Sequence, residues 1–139
     1  EANTEELTGE GAVNGHKEAL IDGNLNTFWH SQWDGEGKNP PLPHIIIFDM
    51  QQTQNILSIE LARRQNNLDL KAVMFSISDD KENWTELGKL DFPNDKVPNA
   101  QIILLPKAIS GRYFRTTVTD SNNGVNASIA EIMFTMGKK

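Results

Sequence analysis

From about residue 44 onward the chain alternates short apolar, β-branched runs with clusters of Asn, Asp, Gly and Pro. His44-Ile-Ile-Ile-Phe48 is one such run, ended by Asp49. In the stretch 55–63 apolar residues fall at alternate positions Leu57, Ile59 and Leu61, the period of a half-buried strand. Val73-Met-Phe-Ser-Ile-Ser78 follows, closed by Asp79-Asp80, and then the runs 84–90, 100–105, 113–118 and 129–136. Strand-length runs at this spacing, separated by turn residues, predict an all-β sandwich or barrel. Helical periodicity is sustained nowhere, although residues 17–21 read as one short helical turn.

The first forty or so residues differ. They are rich in Gly, Asn and polar side chains and carry few strand signals. Gly35-Glu-Gly-Lys-Asn-Pro-Pro-Leu-Pro43 reads as a stiff, irregular loop. An irregular stretch this long inside a compact domain usually has a task, and two tryptophans stand beside it. No internal repeat or linker interrupts the chain, and Gly137-Lys-Lys139 reads as a tail.

Composition narrows the function. The 139 residues suit one domain, and the hydrophobic fraction of 37%, although low, supports a core. The formal net charge of −6 argues against a nucleic-acid partner, which attracts basic patches. With no cysteine there is no disulfide framework, thiolate metal site or thiol nucleophile. No run of eighteen apolar residues suggests a membrane-spanning helix. The chain opens Glu1-Ala2 without a methionine, and the expectation is a single module, residues 1–139, cut from a longer protein.

The densest chemistry lies in Asp22-Gly23-Asn-Leu-Asn-Thr27-Phe-Trp29-His30-Ser-Gln-Trp33. A tight Asp-Gly turn with Asn and Thr oxygens nearby suits a hard cation such as Ca²⁺. The aromatics that follow supply a core anchor and a platform for a ligand. Signatures of catalysis are missing: there is no Gly-x-Ser-x-Gly, no His-Glu-x-x-His and no phosphate loop. Glycoside hydrolysis would need two carboxylates facing each other across a cleft, whereas the acidic residues here cluster in turns. No enzymatic activity is expected.

Four motifs, in order and at the right intervals, resemble the discoidin family, also called coagulation-factor type C domains. Within it the likeness is to the family 32 carbohydrate-binding modules of bacterial glycosidases. The motifs are Ala19-x-x-Asp22-Gly23-x-x-x-Thr27-x-Trp29-x-Ser31; Pro43-His44-x-x-x-x-Asp49; Ser78-Asp-Asp-Lys-Glu-Asn-Trp84; and Gly111-Arg-Tyr-Phe-Arg115 with Ala130-Glu131-Ile132. The second departs from the family pattern, reading Asp49-Met-Gln where the family has Asp-Leu-Gly. The resemblance spans residues 12–136 and implies an antiparallel jelly-roll sandwich with ligand loops at one end.

The same resemblance implies a structural Ca²⁺ held by Ala19, through its carbonyl, Asp22, Asn24, Thr27 and Glu131, with the Ala130 carbonyl as a further candidate. It implies a sugar site of His30, Trp33, Arg64 and Asn67, where the stretch Arg64-Gln65-Asn66-Asn67 matches the family's Arg…Asn pair. The physics agrees: a sugar's C–H face suits an indole, and vicinal hydroxyls suit an Arg fork and an Asn amide. Trp29 and Trp84 are expected in the core, Arg112 and Arg115 in the scaffold, and His16 and His44 in structural roles. Arg63 and Arg64, being adjacent, should point to opposite faces. The loop Ser121-Asn-Asn-Gly-Val-Asn-Ala127 lacks the second aromatic that family members often carry, which leaves Val125 and Asn126 as candidates for that wall.

The implied function is a monomeric, non-catalytic module that targets a glycoside hydrolase in the same polypeptide, such as a hexosaminidase or chitobiase-like enzyme, to galactose- or N-acetylhexosamine-containing glycans. The implied setting is periplasmic, cell-surface or secreted. A monosaccharide of roughly 12–15 heavy atoms at about −0.3 kcal/mol per atom gives a Kd on the order of 1 mM, a strength that works by tethering or multivalency. A protein- or membrane-adhesion module without sugar binding is the alternative. Docking on anionic lipid would need exposed apolar spikes ringed by basic residues, which the acidic charge disfavours.

Overall fold

The computed structural model describes residues 1–65 and 67–137. Seven strands form: β1 (Trp29–His30), β2 (His44–Ala62), β3 (Leu70–Ser78), β4 (Thr85–Asp91), β5 (Ala100–Ser121), β6 (Ser128–Ile129) and β7 (Glu131–Met136). The helical turn expected at 17–21 is present as a 3₁₀ turn, Lys17–Ile21. Five strands make an antiparallel sheet in the order β4-β3-β5-β2-β7, and β1 pairs antiparallel with β6 in a second, two-stranded sheet.

The runs expected as separate strands at 44–48 and 55–63 are one long strand, β2, and those at 100–105 and 113–118 are one long strand, β5. The register explains how two strands serve two layers. Residues 44–49 of β2 pair with 113–118 of β5, and residues 54–62 pair with 100–111, with irregular register between Asp49 and Gln54. β3 adds to the late half of β5 and β7 to the late half of β2. Each long strand therefore bends from one layer into the other. Phe114 of the first layer meets Phe134 of the second with ring centroids 4.4 Å apart in an edge-to-face contact.

Local sequence accounts for most of the core. Val73, Phe75 and Ile77 alternate into it from β3, as do Phe114 and Val118 from β5. One expectation fails at β2. The bulge between Ile56 and Ser58 inserts Leu57 as an extra residue, so Ile56, Ile59 and Leu61 are buried while Leu57 is exposed. A single inserted residue swaps the faces of a period-2 pattern. Trp84, expected in the core, is only half-buried: its ring lies under the Arg115 guanidinium at 4.1 Å, and its indole N–H donates to the Lys81 carbonyl. Residues 1–3 run along β2, with Asn3 N–H donating to the Ile45 carbonyl and Ile47 N–H to the Glu1 carbonyl, which covers that edge. Of the tail read at 137–139, the last two residues lie outside the described residues.

Candidate functional site

The short β1–β6 pair builds the floor of a cavity. Trp29 faces Ile129 and His30 faces Ser128. Trp29 is fully buried, donates its indole N–H to the Thr4 carbonyl at 2.9 Å and meets His44 edge-on. It is the core anchor expected of it. His44 is structural as well: its Nε2 contacts the Val125 carbonyl, and burial pushes the imidazole pKa down. The next residue along β1, His30, turns to the cavity side. It is 7% exposed, and its Nδ1 sits 2.6 Å from the Ser31 carbonyl, which can only accept. Nδ1 therefore donates to that carbonyl, and Nε2 is turned the other way. That Nε2 faces Asp69 Oδ2 at 3.7 Å.

Asp69 was not legible in the sequence. It is 9% exposed, and its Oδ1 accepts from both the N–H and the hydroxyl of Ser128, at 2.9 and 2.8 Å. Burial pushes its carboxyl up, against the pull of those two hydrogen bonds. Because Ser128 is the register partner of His30, the same strand pair fixes both groups.

Trp33 stands beside them at 39% exposure. Three residues from the N-terminal segment hold it, none suspected from the sequence. Its indole N–H donates to Glu10 Oε1 at 3.1 Å. The buried Glu6 carboxylate accepts from the backbone N–H of Trp33 and of Asp34, at 3.3 and 2.8 Å. Gly9 lies under the ring, where an added Cβ would stand 2.6 Å from Cζ2, so the indole rests on bare backbone.

His30, Trp33, Asn67, Asp69 and Glu10 line one cavity of about 370 Å³, closed on its far side by Asn122, Asn123 and Asn126. The wall lacking a second aromatic is thus made of asparagines. Asn123 Oδ1 accepts from the N–H groups of Val125 and Asn126 and folds the loop, while Asn126 Nδ2 donates to Asn39 at 3.0 Å. Val125 does not line the cavity. Three of the four expected sugar-binding residues, His30, Trp33 and Asn67, therefore share a space. The fourth, Arg64, is held apart: its guanidinium lies 3.8 Å from the Phe28 ring centroid, in a separate cavity with Asn14, Leu25, Asn26 and Gln65. Arg63 does face the other way, into the protein, at 1% exposure over Phe92. Asn66 lies outside the described residues.

The residues expected at a cation form a second constellation, which joins the first loop to β7. Ala19 is buried in the 3₁₀ turn, and Asp22 caps the end of that turn. Gly23 follows with φ of +75°, a value a side chain would strain. The Asp22 carboxylate accepts from Asn24 N–H at 2.9 Å and from the Thr27 hydroxyl, which also reaches the Asn24 carbonyl. Burial would raise Asp22, but these donors outweigh it and hold the carboxyl low. Glu131 arrives from β7, accepts from Gly23 N–H at 3.1 Å and leaves Oε2 buried without a partner. Burial pushes its carboxyl up to about 7, and the Asp22 charge adds to the push. Two facing carboxylates and an unpaired buried oxygen among amide and hydroxyl oxygens are what a hard dication neutralises, so the donor set fits Ca²⁺.

The C-terminal domain of a chitobiase from Bacteroides fragilis superimposes with a TM-score of 0.79 at 37% identity, over 99% of this chain and 93% of that one. The CBM32-3 module of a family 31 glycoside hydrolase from Clostridium perfringens gives a TM-score of 0.77 at 27% identity, over 99% and 88%. A sialidase of Micromonospora viridifaciens is 28% identical over 85% of this chain, which spans only 18% of that protein's length. Residues 1–132 match the model of the F5/8 type C domain. That match runs through the Asp22–Thr27 loop, the long paired strands and the Ala130-Glu131 end that closes on the loop, so the chain belongs to the F5/8 type C domain family.

Proposed function

We propose that this domain is a non-catalytic carbohydrate-binding module that seats a sugar ring against Trp33. The observation that carries the reading is the pairing of a part-exposed indole with the polar cavity at its side, where His30, Asn67 and Asp69 present acceptors and donors. An apolar face beside a few convergent polar groups is the chemistry of a sugar, whose ring has a C–H face and a hydroxyl rim. The similarity to a chitobiase domain and to a sialidase supports a place within a glycoside hydrolase; the ligands in this reading are galactose- or N-acetylhexosamine-containing glycans met outside the bacterial cytoplasm, at the surface, in the periplasm or after secretion. Sugar binding here would keep the attached catalytic domain near its substrate.

Calcium completes the reading. Ala19, Asp22, Asn24, Thr27 and Glu131 would hold it, with Ala130 adjacent, and the ion would clip the first loop to β7 across more than a hundred residues. The clip steadies the backbone that leads directly into Trp29, His30 and Trp33.

The test is a titration of galactose, N-acetylgalactosamine and N-acetylglucosamine, followed by amide and indole chemical shifts, with calcium and with chelator. Saturable shifts confined to His30, Trp33, Asn67 and the 122–126 loop are the expected result. No shift up to tens of millimolar would remove simple sugars as the ligand.

A further inference from the structure

We infer that Asn123 is a site of self-modification: the backbone nitrogen of Gly124 converts its side-chain amide to an acid through a cyclic imide, and the change reshapes the cavity wall. The chain holds two Asn-Gly pairs, Asn14-Gly15 and Asn123-Gly124. In both, the missing Cβ opens the glycine nitrogen to the neighbouring amide carbon. The fold separates them. Gly15 is buried, its N–H donates to the Phe28 carbonyl at 2.8 Å, and its carbonyl accepts from the N–H groups of Glu6 and His30. An added Cβ there would stand 2.2 Å from the Glu6 carbonyl oxygen, so the Gly15 backbone has no room to turn onto Asn14. Asn123 and Gly124 are exposed. Gly124 sits at φ +73° in open space, with its N–H on the Ser121 carbonyl at 3.2 Å. Asn123 Oδ1 accepts from the N–H of Val125 at 2.9 Å and of Asn126 at 2.7 Å, and the Ser121 hydroxyl lies 3.5 Å away. Such a turn folds the carboxamide over the Gly124 peptide. Its donors polarise the C=O, as an oxyanion hole does, and so favour attack at Cγ.

The chemistry needs only water. Hydroxide takes the Gly124 N–H proton, the nitrogen bonds to Asn123 Cγ, and the Cγ–Nδ2 bond breaks as ammonia leaves with a proton from water. Water then opens the imide. Cleavage of the new C–N bond gives an aspartate, and cleavage of the original peptide bond gives an isoaspartyl link with the main chain routed through the side-chain carbon. Nothing is oxidised or reduced: one water is consumed and one ammonia is released. The aspartate keeps an acceptor for the N–H groups of Val125 and Asn126. The isoaspartyl product turns that acceptor into main chain and lengthens the backbone in the middle of the wall that Asn122, Asn123 and Asn126 form. The effect on a ligand rests on the sugar-binding reading above; the modification itself does not.

The experiment incubates the full chain at neutral and mildly alkaline pH, folded and in guanidinium chloride, and maps both Asn-Gly pairs by peptide mass spectrometry with isoaspartyl detection. In the folded chain Asn123 should convert at least about tenfold faster than Asn14, because three backbone hydrogen bonds hold Gly15 and one holds Gly124. The rate should rise with pH, and the two pairs should converge in denaturant. Gly124→Asn tolerates the positive φ, adds a Cβ and should slow the reaction. Conversion of Asn123 no faster than that of Asn14 in the folded chain, or slower folded than in denaturant, overturns the inference. The isoaspartyl form, separated by chromatography, should bind the sugars about tenfold more weakly than Asn123→Asp, which stands for the other product. Equal affinity of the two overturns the effect on the cavity. Failure of the unmodified chain to bind any sugar overturns the sugar-binding reading instead and leaves the modification standing.

Discussion

Removing the Trp33 indole should weaken sugar binding by an amount that the structure sets. A tryptophan side chain offers about 250 Å², and Trp33 is 39% exposed. About 100 Å² is therefore open, and a sugar ring resting on one face covers roughly half of it. At about 25 cal/mol per Å², the ~50 Å² covered contributes about 1.3 kcal/mol. Trp33→Ala should then raise the Kd about tenfold, from on the order of 1 mM to about 10 mM. Gly9→Ala tests the same platform without touching it, because the new methyl would stand 2.6 Å from the ring and push it aside. A loss between about twofold and tenfold is expected there, since the ring shifts rather than vanishes. The assay is a sugar titration by amide shifts, with the indole N–H resonance separating Trp33 from Trp29 and Trp84. Wild-type affinity in Trp33→Ala would refute the reasoning, because no other Trp, Tyr or Phe lines the cavity among the described residues.

Other perturbations probe the scaffold and the neighbouring sites. Phe114→Ala should cost about 3–5 kcal/mol in denaturant unfolding, because this fully buried ring packs on Phe48, Phe75 and Phe134 and joins the two layers; a loss under about 1 kcal/mol would contradict that role. Calcium at about a hundred times its Kd should stabilise the wild type by about 2.7 kcal/mol over chelator in thermal unfolding, and Glu131→Gln should lose most of that gain; equal melting with calcium and chelator would remove the ion from the account. Arg64→Ala should leave affinity for a neutral sugar within about twofold, and a tenfold loss would show that the side chain leaves Phe28 to reach the ligand. Arg112 binds Asp49 through two 2.8 Å hydrogen bonds and lowers its pKa from 3.8 to about 2. A carboxyl lowered on folding contributes stability above its unfolded pKa and loses it as pH falls to the folded one, so that contribution should fade between about pH 4 and 2. Asp49→Asn should flatten the slope in this window, and an unchanged slope would contradict the assignment.

Where the chemistry is local, the residues announced their roles. The Asp22-Gly23 turn, the buried Trp29 and the exposed Trp33 all follow from a short stretch of sequence, and so does the alternation of Val73, Phe75 and Ile77. Long-range geometry was less legible. Leu57 reads as one of three alternating core residues until the bulge beside it reverses the faces. Asp69 carries no local mark, since what makes it part of the cavity is a hydrogen-bonded pair with Ser128, fifty-nine residues away. Glu6, Gly9 and Glu10 sit in a polar stretch without periodicity, and only the fold brings them under Trp33. Arg64 shows the reverse: its sequence neighbours match the family's pair, but the ring of Phe28 takes the guanidinium. The long strands β2 and β5 read as four, because the polar residues of their bends look like turns.

The most direct test of the central claim is a set of intermolecular NOEs between the full chain and a saturating methyl β-glycoside. Sugar ring protons should give NOEs to the Trp33 indole and to the His30 ring protons, with none to Arg64 or Phe28. NOEs that instead place the sugar on the Arg64–Phe28 cavity, or none at Trp33 while binding is measurable, would contradict the claim that this indole and the buried His30–Asp69 floor hold the ligand.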